Sequence, residues 1–422
     1  MSRLAGAIGV HGNRRSWPEV PLHAVLSRVR EQGRPELPLL GVSVAEGVRE
    51  RWAEDGRPAA SLDLSGYNVV RPGQIVMNAL GKPHGSIGAS DVPGITSPAY
   101  WVLDVNSELA DSRYLHHLLR STHMVNEYQR LGKNMPPNQF DIPWETFRSV
   151  HVALPPLDVQ RRVADFLDDQ VTRIDDIIAA RQEQVALGVA QHLAWLSDEY
   201  ESLSAEWGAA PLRYFLMSIG QGWSPQCDDR PPSESEWGVL RAGACNGGVF
   251  HPDDRKTLQE GLAPRLEYEV KTGDLLVNRA SGSLELIGNA TVVGDDLQPR
   301  TLLCDKIYRL TLGNQLLPHF VSSMWPAPPV RESLLLGVSG ADGMANSLPS
   351  EAIKAVRIPA APIHAQRAWL DGFQAQREAQ GTLDREGNRS IELLQELKRS
   401  LISAAVSGEF DVTAADGSGV RV

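Results

Sequence analysis

The stretch P-W-E-T-F-R-S-V-H-V-A-L-P-P-L-D-V-Q-R-R, Pro143 to Arg162, returns later in the chain as P-S-E-A-I-K-A-V-R-I-P-A-A-P-I-H-A-Q-R-A, Pro349 to Ala368. Pro143/Pro349, Glu145/Glu351, Val150/Val356, Pro156/Pro362, Gln160/Gln366 and Arg161/Arg367 all keep one offset of 206. Working outward, P-G-Q-I-V-M-N-A-L at 72–80 matches T-G-D-L-L-V-N-R-A at 272–280, aligning Gly73 with Gly273 and Asn78 with Asn278. Further upstream, Pro21-Leu22 matches Pro211-Leu212. The chain is therefore two copies of a unit of roughly 200 residues. That period is far longer than the 20–50 residues typical of solenoid or propeller repeats. It means duplicated domains, and a duplicated protein tends to meet something with two similar halves.

Each copy mixes short apolar runs with Gly, Pro and Asn turns, which predicts α+β domains. G-Q-I-V-M-N-A and S-V-H-V-A-L read as strands in the first copy; S-R-Y-L-H-H-L-L-R-S-T-H-M-V-N-E-Y reads as a helix. The second copy repeats that order, with K-I-Y-R-L-T-L and A-V-R-I-P as strands and a helical piece around Pro318 to Leu336.

The sequence between the copies differs in kind. From Leu157 to about Glu206 there is no proline and one glycine, Gly188. Apolar residues fall at Leu167, Val171, Ile174, Ile178, Val185 and Trp195. Spacing by three and four marks a long amphipathic or coiled-coil helix. At ~1.5 Å per residue, fifty residues make a rod of roughly 75 Å. The second copy ends alike, from Ile363 to about Ala405, although Gly372, Gly381 and Gly387 weaken the pattern in its middle. Gly408 supplies a stop signal. The two stripes are expected to pair with each other as an antiparallel coiled coil and to leave part of their apolar surface for a partner. Residues 413–422 read as a disordered tail.

Composition narrows the function classes. The chain has 422 residues and a net charge of −11, which argues against a simple basic DNA-binding protein. The acid is uneven: residues 1–155 carry +1, 156–207 carry −7, 208–358 carry −3 and 359–422 carry −2. The two domain segments are near neutral and rich in arginine, so they can still present a local positive face. No apolar run approaches the ~18 residues that span a bilayer. The N-terminus lacks a signal-peptide pattern. The three cysteines, Cys227, Cys245 and Cys304, form neither a disulfide framework nor a zinc motif. A cytoplasmic location without membrane contact is expected.

A search for catalysis finds little. There is no phosphate loop, dinucleotide fingerprint or nucleophile elbow. Asn134-Met135-Pro136-Pro137 is similar to the Asn-Pro-Pro-aromatic loop of adenine methyltransferases, but Met135 is inserted and no cofactor-binding glycine loop precedes it. Pro252-Asp253 followed by Glu269-Val270-Lys271 fits the loose nuclease pattern in which two carboxylates hold a metal. The repeat supplies a control: Val69-Val70-Arg71 stands there in the first copy, without a carboxylate. Polar residues cluster instead after the repeated glycines, in N-A-L-G-K-P-H-G-S-I-G and N-R-A-S-G-S-L-E-L-I-G. Asn78, Lys82, His84, Ser86, Arg279, Ser281 and Ser283 offer groups of the sort that meet phosphates and base edges. A second polar loop, Gly132 to Phe140, contributes Lys133, Asn138 and Gln139; its counterpart, Gly340 to Leu348, contributes Asn346.

With these residues in view, the chain resembles the specificity subunit of Type I restriction–modification enzymes over about residues 18–412. L-P-P-L-D-V-Q-R-R-V-A-D-F-L-D-D-Q-V-T-R-I-D-D-I-I and L-L-Q-E-L-K-R-S-L-I-S-A-A-V-S-G-E-F-D-V look like that family's two helical regions, and Y-E-V-K-T-G-D-L-L-V-N-R like a strand-turn of its target recognition domains. The resemblance implies recognition domains at 1–155 and 208–358, each reading half of a split double-stranded DNA site. It implies long helices at 156–207 and 359–412 that space the readers and dock two methyltransferase subunits through Leu167, Val171, Ile174, Ile178, Leu394, Leu397 and Leu401. A restriction-translocase subunit would join for cleavage. The chain itself would be non-catalytic and hold no cofactor or metal; S-adenosylmethionine, ATP and magnesium would belong to its partners. A fused nuclease using Asp253, Glu269 and Lys271 is the rival from another class, and a duplicated scaffold without a DNA role is a third.

Overall fold

The computed structural model describes residues 17–44, 46–51, 63–79, 86–135, 139–339, 346–410 and 412. The chain divides into two compact units, residues 1–182 with 389–422, and residues 183–388. Eight helices lie among the described residues: α1 (Ser112–Arg120), α2 (Thr122–Leu131), α3 (Trp144–Arg148), α4 (Leu157–Trp207), α5 (Pro318–Met324), α6 (Pro328–Leu336), α7 (Ser350–Ala355) and α8 (Ile363–Val406). The two long helices are not a body of their own. Part of α4 and part of α8 belong to each unit.

The first unit is built on a four-stranded antiparallel sheet in the spatial order Leu26–Val29, Trp101–Val105, Ile75–Met77, Ile87–Ala89. Its inner face carries Leu26, Ile75, Met77, Ile87 and Leu103, all buried against α1 to α3 and the long helices. The expected single helix from Ser112 is two. Ser121 adopts an extended ψ of 154° and its hydroxyl accepts from the Met124 N–H, so one residue ends α1 and caps α2. Gln160 fixes the root of α4. Its Nε2 donates to the Leu109 and Pro155 carbonyls at 2.9 and 2.8 Å, and its Oε1 accepts from the N–H of Asp111, the N-cap of α1, at 2.9 Å.

The second unit repeats this sheet, in the order Leu216–Gln221, Ile307–Leu312, Leu275–Asn278, Ala290–Val292. Where the first unit has the strand pairs Leu40–Ser43 with Gly47–Glu50 and Asn68–Val70 with Gly94–Thr96 over a smaller core, the second has, beside its first sheet, a sheet of Cys227–Asp228, Arg255–Leu258, Gly238–Leu240 and Thr301–Leu302 with a core of its own. Cys245 and Cys304 lie buried in that core, where burial pushes the Cys304 thiol up to about 12. Cys227 is partly exposed. Gln366 holds the root of α8. Its Nε2 donates to the Gln315 and Ala361 carbonyls at 2.8 and 2.7 Å, and its Oε1 accepts from the Leu317 N–H at 2.8 Å.

Within each unit α4 and α8 run antiparallel. In the first, Lys398 Nζ lies 2.7 Å from both carboxylate oxygens of Asp175, and the Phe166 and Phe410 rings meet at 5.3 Å. In the second, Trp195, Trp369 and Phe373 stack, and Trp369 Nε1 donates to Glu199 at 2.8 Å. The glycines of α8 do not break it. A Cβ on Gly387 would stand 2.6 Å from Val185, and one on Gly188 would stand 2.8 Å from Gln380. Missing side chains here let the helices approach. Gly408, at φ +74°, terminates α8 with the Trp17 ring packed against it.

Candidate nucleic-acid interface

Gly73 and Gly273 turn at φ +85° and +87°, a region open to glycine, and launch the central strands Ile75–Met77 and Leu275–Asn278. The polar loops follow these strands. In the second unit the loop is tied to its neighbour by strand pairing: Ala280–Ser281 pairs with Asn346–Ser347, setting Ser281 opposite Asn346. Behind them the Leu348 N–H donates to the Arg279 carbonyl at 2.8 Å. The first unit makes the equivalent bond, from the Ile142 N–H to the Ala79 carbonyl at 3.4 Å. In each copy this bond sets the residue that leads into one polar segment beside the residue that follows the other.

Arg279 is half-buried and braced. Its Nε donates to the Tyr308 hydroxyl at 3.1 Å, its Nη1 to the Asp305 carbonyl at 3.3 Å, and its guanidinium lies 5.8 Å from the Tyr308 ring centre. Its Nη2 makes no hydrogen bond among the described residues. A guanidinium braced in this way is a preorganised donor. The Ser281 hydroxyl accepts from the Ser283 N–H and the Ser283 hydroxyl from the Glu285 N–H, both at 3.2 Å, so these serines shape the loop. Arg331 on α6 donates to the carbonyls of Leu284, Glu285 and Ile287, and Trp325 Nε1 donates to that of Gly288 at 2.6 Å. Sequence reasoning missed Tyr308, Trp325 and Arg331. Their only signal was being polar or aromatic in an otherwise apolar stretch.

Several of the expected contact residues are turned toward the protein. Ser86 is buried and has a polar partner within the protein. Asn278, the counterpart of Asn78, is buried too: its Nδ2 donates to the Ala242 carbonyl at 3.2 Å and its Oδ1 accepts from the Ala280 N–H at 3.1 Å. Asn78 is half-buried and likewise has a polar partner. These asparagines shape the strand end. Lys82, His84 and Asn138 lie outside the described residues. Lys133 and Gln139 fall on the hairpin Lys133–Met135 with Gln139–Asp141, of which the backbone pairing is described.

The expected docking stripe lies largely inside the first unit. Leu167, Ile174, Ile178 and Leu401 are buried in the first unit's core, with Leu394 and Leu397 packed against it and Val171 half-exposed. Pairing with the other helix covers most of this stripe and leaves partial exposure at Val171, Leu394 and Leu397. The apolar side chains of α4 and α8 that face outward are others: Ile177 and Leu393 in the first unit, Leu187, Val189, Trp207 and Leu383 in the second.

Among the described residues no group of three His, Cys, Asp or Glu side chains is placed to hold a metal ion. Glu269 and Lys271 are held by their backbone: the Glu269 carbonyl accepts from Arg309 at 2.7 Å, and the Lys271 N–H donates to Asp274 at 2.9 Å. No described helix is long and apolar enough to cross a membrane.

Comparison with known proteins returns the resemblance read from the sequence. The chain is 22% identical over 321 residues to the Type I restriction enzyme EcoKI specificity subunit of Escherichia coli (strain K12), covering 72% of this chain and 66% of that one. It is 34% identical over 107 residues to the EcoEI specificity subunit of Escherichia coli, covering 25% of this chain and 18% of that one. The match thus spans less than two thirds of either relative. A solved chain from a study of assembly and conformational transition in a type I R-M system superposes with a TM-score of 0.66 at 18% identity, covering 94% of this chain and 100% of that one, which shows a shared fold. No family model matches.

Proposed function

We propose, for a chain whose relatives are Type I specificity subunits, that it is the DNA-reading subunit of a restriction–modification assembly. Each unit reads one half of a bipartite duplex site through its paired polar loops. The long helices space the two readers. Their outward apolar residues, Ile177, Leu187, Val189, Leu383 and Leu393, remain for two methyltransferase subunits, and a restriction-translocase subunit joins for cleavage. The chain performs no chemistry and binds no cofactor; S-adenosylmethionine, ATP and magnesium are handled by the partners, in the cytoplasm. The observation that carries this reading is the repeated pairing of loops, Ile142 to Ala79 and Leu348 to Arg279. Two copies of one surface suit a ligand with two comparable halves.

The test is an exchange. Residues 209–358 are replaced by the matching domain of a relative with a different target, and methylated bases are sequenced in the host genome. One half of the methylated motif should change and the other should stay. A change in both halves overturns the assignment of one reader per half-site. The purified chain, given duplex, magnesium and S-adenosylmethionine, should neither methylate nor cut.

A further inference from the structure

A polar groove of about 470 Å³ runs along the outer edge of the second unit's four-stranded sheet, beside the edge strand Leu216–Gln221. Its lining includes Arg213, Ser218, Gln221, Tyr308, Ser350 and Lys354, and no carboxylate. Arg213 is exposed, lies over the Tyr214 ring at 5.2 Å, and pairs with no carboxylate among the described residues. Lys354 pairs with Glu351 at 2.6 Å across one turn of α7, a carboxylate 79% exposed. Tyr308 stands opposite Gln221 at the far end of the strand and accepts from Arg279. The groove therefore leads from Arg213 to the side chain that braces the candidate reading arginine.

The first unit carries part of this arrangement. Trp101 pairs with Met77 as Tyr308 pairs with Val277. Arg28, on the edge strand Leu26–Val29, lies over the Trp101 ring at 5.4 Å. Arg148, at the position of Lys354, pairs with Glu145 across one turn of α3 at 3.4 Å. Of these cations Arg148 keeps the offset of 206, to Lys354, whereas Arg213 has His23 at its counterpart turn and Arg28 has Ser218 at its counterpart on the edge strand. In a chain of net charge −11 they stand out as local positive ground.

We propose that this edge groove of the second unit seats the sugar–phosphate backbone of duplex DNA through Arg213 and Lys354, and that Arg28 and Arg148 meet the backbone in the first. The inference rests on the DNA-reading function proposed above. Phosphate contacts set register and orientation without carrying sequence, while the loops beyond Arg279 meet base edges. Each cation on a phosphate releases counterions, so it leaves a trace in the salt dependence of binding.

The experiment uses the full-length chain co-purified with its methyltransferase subunits, a duplex bearing the methylated motif, and a scrambled duplex of equal length. The paired changes Arg213→Ala with Lys354→Ala, and Arg28→Ala with Arg148→Ala, should weaken binding by the same factor on both duplexes. Each lost contact should lower the slope of log affinity against log salt by about one. The methylated motif should not change, and Arg213→Lys should keep the slope. Wild-type slope and affinity in both paired variants would overturn the groove assignment while leaving the reading function intact. Loss of co-purification with the methyltransferase would instead make the groove a protein contact and also overturn it. A wild-type assembly that binds neither duplex would remove the reading function itself.

Discussion

Gln160 and Gln366, 206 residues apart, are both wholly buried and make the same three hydrogen bonds to residues that keep the same offset. Leu109 and Gln315 supply one carbonyl, Pro155 and Ala361 the other, and Asp111 and Leu317 the N–H. In each unit one amide thus joins the root of a long helix to the residue that begins the domain's first helix. Only a primary amide offers two donors and an acceptor in that geometry.

Replacing either glutamine by alanine leaves buried groups without partners. Gln160→Ala and Gln366→Ala should each cost about 2–4 kcal/mol, above the ~1–3 for one unsatisfied group because three bonds go. The losses should add in the double variant, since the sites share no partner. Denaturant titration of the three variants measures both effects; a cost under half a kilocalorie would mean that the clamp contributes nothing.

Arg279 and Lys82 separate two kinds of DNA contact. If Arg279 reads a base, Arg279→Ala should cost ~1–3 kcal/mol and relax one position of the methylated motif. If Lys82 meets a phosphate, Lys82→Ala should weaken binding evenly and lower the salt slope by about one. Unchanged affinity and motif in both variants would return these loops to ordinary surface turns.

His116 makes the first unit acid-sensitive. Its Nδ1 lies 3.1 Å from the Ala89 N–H and its Nε2 lies 2.8 Å from Arg120 Nη1. Burial, reinforced by the Arg120 charge, pushes the imidazole down to about 3. An unfolded histidine titrates near 6.5, so below that pH the unfolded chain binds a proton that the native chain refuses. The stability is fully present above pH ~6.5 and falls as pH drops toward 3, by at most ~1.4 kcal/mol per unit. The advantage of wild type over His116→Asn in thermal unfolding should therefore shrink between pH 7.5 and pH 5. A gap that widens over that range would contradict the sign.

The long helices predict a spacing rule. Four residues inserted after Gln182 and four after Asn388 lengthen both partners where the chain passes from one unit to the other. Four residues add ~6 Å and about 40° beyond a full turn, so both stripes stay nearly in phase. With ~3.4 Å per base step, the gap between methylated half-sites should grow by nearly two base pairs. Insertion of two residues in each helix turns the stripes by ~200° and should abolish activity. An active four-residue variant with an unchanged gap would show that the helices do not set it.

The sequence by itself determined the duplication, the α+β class and the extents of α4 and α8, because these follow from local periodicity and a constant offset. It also placed Gly73 and Gly273, since a positive φ favours one residue type. Tertiary structure decided what each polar or apolar group is used for. The stripe through Leu167, Ile174 and Ile178 reads the same whether it meets α8 or another subunit; only packing consumes it. Ser86 and Asn78 look like surface polar residues in a loop-rich stretch, yet one is buried and the other half-buried at a strand end. The pairing of Ser281 with Asn346, the bracing of Arg279 by Tyr308 and the support of the loop by Arg331 join residues from 29 to 65 positions apart. Such contacts have no period to read, because the sheet that aligns them forms only when distant strands meet.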